Sequence, residues 1–102
     1  MLTKNIARQM YLFSKIFHCA KEATKDIKDN SLLLVGGFGI CGVPMNLINA
    51  LKESGVKDLT CVSNNCGYGD KEGKKYWGLA VLLQTRQIKR MVSSYVGENP
   101  EF

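Results

Sequence analysis

The spacing of apolar and polar residues divides the chain into short segments of different period. Leu2, Ile6, Met10, Phe13 and Phe17 recur every three or four residues and so share one helical face, with Lys4, Arg8 and Lys15 mainly on the other side. Ile16, Ala20, Ala23 and Ile27 carry the helical spacing on to about residue 27. Lys28-Asp-Asn30 is a turn, because Asp and Asn bond to local backbone. Ser31-Leu-Leu-Leu-Val35 is apolar without alternation, which predicts a strand buried on both faces, as in a parallel sheet. After a glycine-rich turn, Pro44 suits a first helical turn, Leu47, Ile48 and Leu51 share a face, and Gly55 is a natural stop. Residues 56–63 predict a second strand that ends before Asn64-Asn65. Residues 67–75 read as an exposed loop, 78–84 as a short apolar helix, and 88–96 as a third strand. Strand, helix and strand in this order make a βαβ unit. The predicted fold class is α/β, with an open, mainly parallel sheet built from βαβ units.

Charge changes the picture at the N-terminus. Residues 1–21 contain four of the fourteen basic residues and none of the nine acidic ones, so the chain from Glu22 onward is almost neutral. A basic, acid-free, amphipathic start is the pattern of a mitochondrial transit peptide, whereas a secretory signal needs an uninterrupted apolar core. Residues 1–20 are therefore expected to be a targeting arm leading to the mitochondrial matrix; an ordinary surface helix or a tail is the alternative. The near-neutral remainder argues against nucleic-acid binding, which needs a basic face on the domain itself. No apolar run approaches the roughly 20 residues of a membrane span. Residues 21–102 are expected to be one partial domain, because the predicted sheet stops at a strand with no helix after it.

Cys19, Cys41, Cys61 and Cys66 form no Cys-x-x-Cys pair, and the one histidine, His18, lies in the arm. That spacing does not suit a metal site. Cys41 and Cys61 stand in apolar context and read as small core residues, and all four thiols are expected to be reduced in an intracellular compartment.

The candidate chemistry centres on Gly37-Phe-Gly39-Ile-Cys-Gly42, a G-x-G-x-x-G between a predicted strand and helix, with Gly36 before it. Backbone N–H groups in such a turn suit a phosphate or a developing oxyanion. A dinucleotide site also needs an acid at the end of the second strand. Asp58 is at the wrong end and Asp70 lies in the loop, so that reading fails its second requirement. A tight turn that binds nothing remains open. Asn64 and Asn65, beyond the second strand, could face the same crevice as the glycine turn, because ligands of parallel sheets bind outside the carboxyl ends of the strands. They could equally bond their own backbone. Ser63, Ser93 and Ser94 have no base at a recognisable offset, and Glu98, the carboxylate nearest the end of a strand, reads mainly as structural. These residues do not make a complete active site.

Asp29-Asn-Ser-Leu-Leu-Leu-Val-Gly-Gly-Phe-Gly-Ile-Cys-Gly-Val-Pro44 resembles the N-terminal signature of the family I coenzyme A transferases. Asn46-Leu-Ile-Asn-Ala-Leu51, Gly55-Val-Lys-Asp-Leu-Thr60, Val62-Ser-Asn-Asn65 and Gln87-Ile-Lys-Arg-Met-Val-Ser-Ser-Tyr-Val-Gly-Glu-Asn99 extend it across roughly residues 22–102. The resemblance is to members that work on succinyl-CoA and 3-oxo acids in ketone-body use. It implies ping-pong chemistry in which a glutamate attacks an acyl-CoA thioester, forms an acyl-glutamyl anhydride and becomes an enzyme thioester. In the family that glutamate belongs to the C-terminal half, so no residue here inherits the catalytic role. Gly36, Gly37, Phe38, Gly39, Gly42, Pro44, Asn64 and Asn65 are implied to line the substrate crevice. The resemblance implies acyl-CoA and a 3-oxo acid as substrates, no tightly bound cofactor, no metal, and a homodimer for the full-length parent. Two departures stand out. The family's α portion is longer than this chain, which suggests a fragment, inactive alone; the alternative is a non-catalytic truncated product that binds a partner. Residues 66–77 are longer than the family pattern and look like a surface insertion.

Overall fold

A computed structural model of the protein describes residues 15–102. Most of the predicted amphipathic arm lies outside these residues. The described elements are α1 (Ala20–Thr24), β1 (Leu32–Leu34), α2 (Met45–Ser54), β2 (Leu59–Asn65), β3 (Tyr68–Gly69), β4 (Tyr76–Trp77), α3 (Ala80–Gln84) and β5 (Ile88–Tyr95). The main sheet has the order β1-β2-β5, and β2 runs parallel to both neighbours. Leu33 pairs with Cys61, and Cys61 with Met91. The α/β fold with an open parallel sheet is therefore present, and a small antiparallel β3-β4 hairpin is added beside it.

The core lies on one face of this sheet. Leu59 and Cys61 of β2 are fully buried against Ile48 and Leu51 of α2 and Leu79, Val81 and Leu82 around α3. Their alternation follows from the two-residue period of a strand, and the α2 positions from the helical period. Burying each large side chain is worth about 1.5–3 kcal/mol. Gly55 ends α2 in the left-handed conformation, φ 71°, as its place in the sequence suggests. Asn30, φ 65°, makes the turn before β1, and the Asp29 carboxylate accepts the Lys57 N–H at 2.9 Å, tying the starts of the two βα segments together.

Several expectations are corrected. The helix expected over residues 16–27 shrinks to the five residues of α1, because Ile16 is 86% exposed and has no core to bury its side chain in. β1 is not buried on both faces: Leu32 and Leu34 point to an uncovered side, at 64% and 80% exposure, because α2 and α3 pack on the other. The second strand begins later and runs through Asn64 and Asn65, since Asp58 is left-handed, φ 58°, and pairing with β5 continues to Asn65–Tyr95. The third strand closes at Tyr95, and the helix expected from Gly78 begins at Ala80, after Gly78 turns at φ 66°.

Residues 67–75 are not simply an exposed loop. Cys66, Gly67 and Gly69 are buried, and the segment forms the β3-β4 hairpin. The Asn99 amide donates to the Cys66 carbonyl at 2.9 Å, and the Gly69 N–H to the Glu98 carbonyl at 3.0 Å, so the hairpin is anchored to the chain after β5. Lys71 to Lys75 and the Tyr68 side chain are solvated. Cys61 is a core residue as expected, but Cys41 is exposed, because it sits at the tip of the glycine turn rather than under it. All four cysteines are free thiols.

Candidate functional site

The glycine turn grows out of the carboxyl end of β1. Phe38 and Cys41 form a closed tip, each N–H donating to the other's carbonyl, at 2.9 and 3.0 Å. The reversal needs Gly39 at φ 58°, a left-handed conformation that costs a residue with a Cβ roughly 1–2 kcal/mol. Gly37 has φ 136°, and a Cβ there would stand 2.9 Å from Val43 Cγ2. The chain enters α2 through an inverse γ-turn at Pro44, φ −79° and ψ 68°, with the Met45 N–H on the Val43 carbonyl at 2.9 Å. Among the described residues, the amides of Gly36, Gly37, Gly39 and Gly42 have no intramolecular acceptor. Phe38 and Ile40 project from the tip, 77% and 64% exposed.

The carboxyl ends of the three parallel strands border two spaces on opposite faces of the sheet. On the helix side, a narrow cleft is lined by Val35, Gly36, Gly37, Gly39, Val43, Ser63, Asn65, Gly67, Gly78 and Leu79. Its free volume is about 10 Å³, room for about one water. On the uncovered side, a groove of about 600 Å³ runs along Leu34, Val62, Asn64, Val92 and Ser94 and reaches Gly36. A third, mainly apolar cavity of about 190 Å³ lies under α1 and α2, and Gly36 and Pro44 border it.

These spaces separate the residues singled out in the sequence. Gly36, Gly37 and Gly39 share the cleft with Asn65. Asn65 is fixed there, its side-chain oxygen accepting the Gly67 N–H at 2.7 Å. Asn64, one residue earlier in the strand, faces the groove with Gly36. Its carbonyl accepts from Ser93 Oγ at 3.0 Å, and among the described residues its side chain has no partner. Pro44 borders the apolar cavity, while Phe38 and Gly42 belong to the loop and line none of the three.

Ser63, Gly67, Gly78 and Leu79 line the cleft without having been singled out as its walls. The two glycines carried a signal, each standing at the edge of a polar or apolar segment. A Cβ on Gly67 would come within 2.4 Å of both the Trp77 carbonyl and the Ala80 N–H, so only glycine lets the hairpin approach α3. Trp77 reaches the loop itself, its indole Nε1–H donating to the Ile40 carbonyl at 3.2 Å.

None of the nine acidic residues lines the cleft or the groove. Glu98 is exposed and left-handed, φ 59°, so it turns the chain after β5. Burial pushes the Cys61 thiol up to about 11 and also raises that of Cys66, against the opposing Asn99 hydrogen bond. Neither is a ready nucleophile. Tyr76 is raised mainly by its bond to the Glu101 carboxylate, 2.8 Å away. Among the described residues no group of three or more His, Cys, Asp or Glu side chains could hold a metal, and no helix is long and apolar enough to cross a membrane.

The family model described as coenzyme A transferase matches residues 17–102. The chain belongs to the coenzyme A transferase family. A probable succinyl-CoA:3-ketoacid coenzyme A transferase subunit from Bacillus subtilis is 52% identical over 88 residues, 86% of this chain and 34% of that protein. Its counterpart in Mycobacterium tuberculosis is 54% identical over 88 residues, again 86% of this chain and 33% of that protein. The mitochondrial succinyl-CoA:3-ketoacid coenzyme A transferase 2A of the mouse is 50% identical over 78 residues, 76% of this chain and 14% of that protein. The chain thus spans about a third of the length of the bacterial proteins it matches. Among solved structures, an acyl-CoA transferase from E. coli O157:H7, in a thioester complex with CoA, superposes with a TM-score of 0.60 and 27% identity. That match covers 81% of this chain and 17% of the other.

Proposed function

We propose that this chain forms one wall of an acyl-CoA site at which CoA moves between succinate and a 3-oxo acid, acetoacetate being the acceptor in ketone-body use. The observation that carries it is identity of 50–54% to succinyl-CoA:3-ketoacid transferases over the segment that builds the glycine turn and the parallel sheet. The site chemistry supports it. Free amides at the turn are suited to a thioester carbonyl as it gathers negative charge, and Asn64 offers a further donor across the strand ends. CoA and its thioesters are substrates here, with no tightly bound cofactor.

The reaction also needs a carboxylate nucleophile. Since no acid of this chain lines the cleft or the groove, the glutamate must be supplied by another segment or another polypeptide, and this chain alone does not turn over. The uncovered sheet face, with Leu32, Leu34 and Val92 exposed, is the surface on which that remainder would pack, because parallel sheets are covered on both faces. The parent enzyme would be a homodimer in the mitochondrial matrix. The names of the mouse relatives and the acid-free first 21 residues support the location.

The test is hydrogen exchange of the chain with and without CoA, paired with a CoA-transfer assay from succinyl-CoA to acetoacetate. The expected result is protection at residues 36–42 and no turnover until a complementary polypeptide carrying the glutamate is added. Turnover by the isolated chain, or no protection of the loop at saturating CoA, would overturn the proposal. Import of a fluorescent reporter fused to residues 1–20 checks the location separately.

A further inference from the structure

The segment over residues 66–77 reaches the glycine turn through the Trp77 indole and is seated beside it against α2 and α3. The buried Gly67 packs against the backbone of Trp77, Leu79 and Ala80, and Gly78 packs in turn on Gly67, where an added Cβ would lie 3.3 Å from its Cα. The Gly78 N–H donates to Met45 Sδ at 3.1 Å, at the start of α2. The Trp77 indole N–H donates to the Ile40 carbonyl at 3.2 Å. On its far side the hairpin is held by Asn99 and Glu98. It therefore bridges the chain beyond β5 and the tip of the loop.

The tip has little else to hold it. Its own two backbone bonds join Phe38 to Cys41, and Phe38, Ile40 and Cys41 are all exposed. One left-handed glycine lies inside it, Gly39 at φ 58°, and another directly follows it, Gly42 at φ 68°, so its backbone has a wide range of conformations open to it. Among the described residues, the indole bond is the one side-chain hydrogen bond to the tip backbone.

We propose that Trp77 is the positioning residue of the glycine turn: its indole N–H, bonded to the Ile40 carbonyl, holds the 38–41 tip in the closed form that shapes the cleft. The segment that looks like a surface insertion is then a strut for the candidate site. Any effect on CoA rests on the function proposed above; the hold on the loop does not.

Hydrogen exchange of the whole chain tests it. Trp77 is the only tryptophan, so biosynthetic replacement alters this one site. The benzothiophene analogue keeps both rings and removes the N–H, and 5-fluorotryptophan keeps the N–H as a control. A net hydrogen bond of about 0.5–1.5 kcal/mol predicts exchange at Phe38 and Cys41 roughly 2- to 12-fold faster with the benzothiophene analogue. The fluorinated form should match the unmodified protein, and the core amides of β2 should not change in either. Unchanged exchange at Phe38 and Cys41 with the benzothiophene analogue would overturn the proposal. So would a uniform rise that includes Cys61, or a rise with the fluorinated control as well. Adding CoA to the unmodified protein separates the two claims: if the loop gains no protection, the acyl-CoA reading fails while the effect of the indole N–H still decides the hold on the tip.

Discussion

Gln87 closes the carboxyl end of α2 from outside the helix: its side-chain amide donates to the Leu51 carbonyl at 2.9 Å and to the Val56 carbonyl at 2.8 Å. Its own oxygen accepts the Thr85 hydroxyl at 2.6 Å. Buried at the foot of β5, it joins a carbonyl of the last helical turn, which the Ser54 hydroxyl also reaches at 2.8 Å, to one just beyond the Gly55 cap. Gln87→Leu keeps a similar size and removes both donors. The Leu51 carbonyl keeps the Ser54 hydroxyl at 2.8 Å, so the expected cost is about 1–3 kcal/mol for the Val56 carbonyl left without a partner, read as a lower urea midpoint with an unchanged slope. A variant as stable as the parent would show that water replaces the amide.

The glycines differ in what they tolerate. Gly67→Ala forces a Cβ to within 2.4 Å of the Trp77 carbonyl and the Ala80 nitrogen, both backbone. It should cost more than about 3 kcal/mol or prevent folding, as overpacking against rigid atoms does. Gly39→Ala meets nothing within 4 Å. It should cost only the roughly 1–2 kcal/mol of its left-handed conformation. Thermal melts of the two variants give the ranking directly.

Thiol chemistry should split the cysteines into two pairs. At pH 8 a disulfide reagent should label the exposed Cys19 and Cys41 in the folded protein, and Cys61 and Cys66 only after denaturant is added. Burial raises Cys61 from 9.0 to about 11, so its native form keeps the proton after the unfolded form has lost it. Its contribution to stability is complete below pH 9 and falls as the pH rises from 9 to about 11. Denaturation midpoints over that range for the parent and Cys61→Ala check the sign: the parent should lose stability more steeply, after allowance for the variant's lower starting point.

The two faces of the sheet should respond differently to truncation. Leu59→Ala, on the buried face, should cost about 2–5 kcal/mol. Leu34→Ala, 80% exposed on the open face, should change stability by no more than about 0.5 kcal/mol in the isolated chain. Its effect should appear instead in association with a complementary polypeptide, measured by titration calorimetry.

The sequence by itself determined the order and type of the main elements, because these follow from local rules. The apolar run before the glycines, the periodic Leu47, Ile48 and Leu51, and Gly55 as a stop each carry their own period or backbone preference. The long resemblance to a family, rather than the G-x-G-x-x-G spacing, is what raises the expectation that the glycine turn lines an acyl-CoA crevice. What tertiary structure decided depends on which face of each element is covered. Leu32 and Leu34 sit in the same apolar run as Leu33, yet only packing by α2 and α3 makes one face core and leaves the other open. Asn64 and Asn65 are adjacent in the chain, but pairing of β2 with β5 through Asn65 keeps both in the strand and sends them to opposite faces. The polar run after Cys66 looks like solvent-exposed loop from composition. It is anchored instead, because Gly67, Asn99 and the indole of Trp77 meet partners 10 to 37 residues away, contacts that no local pattern records.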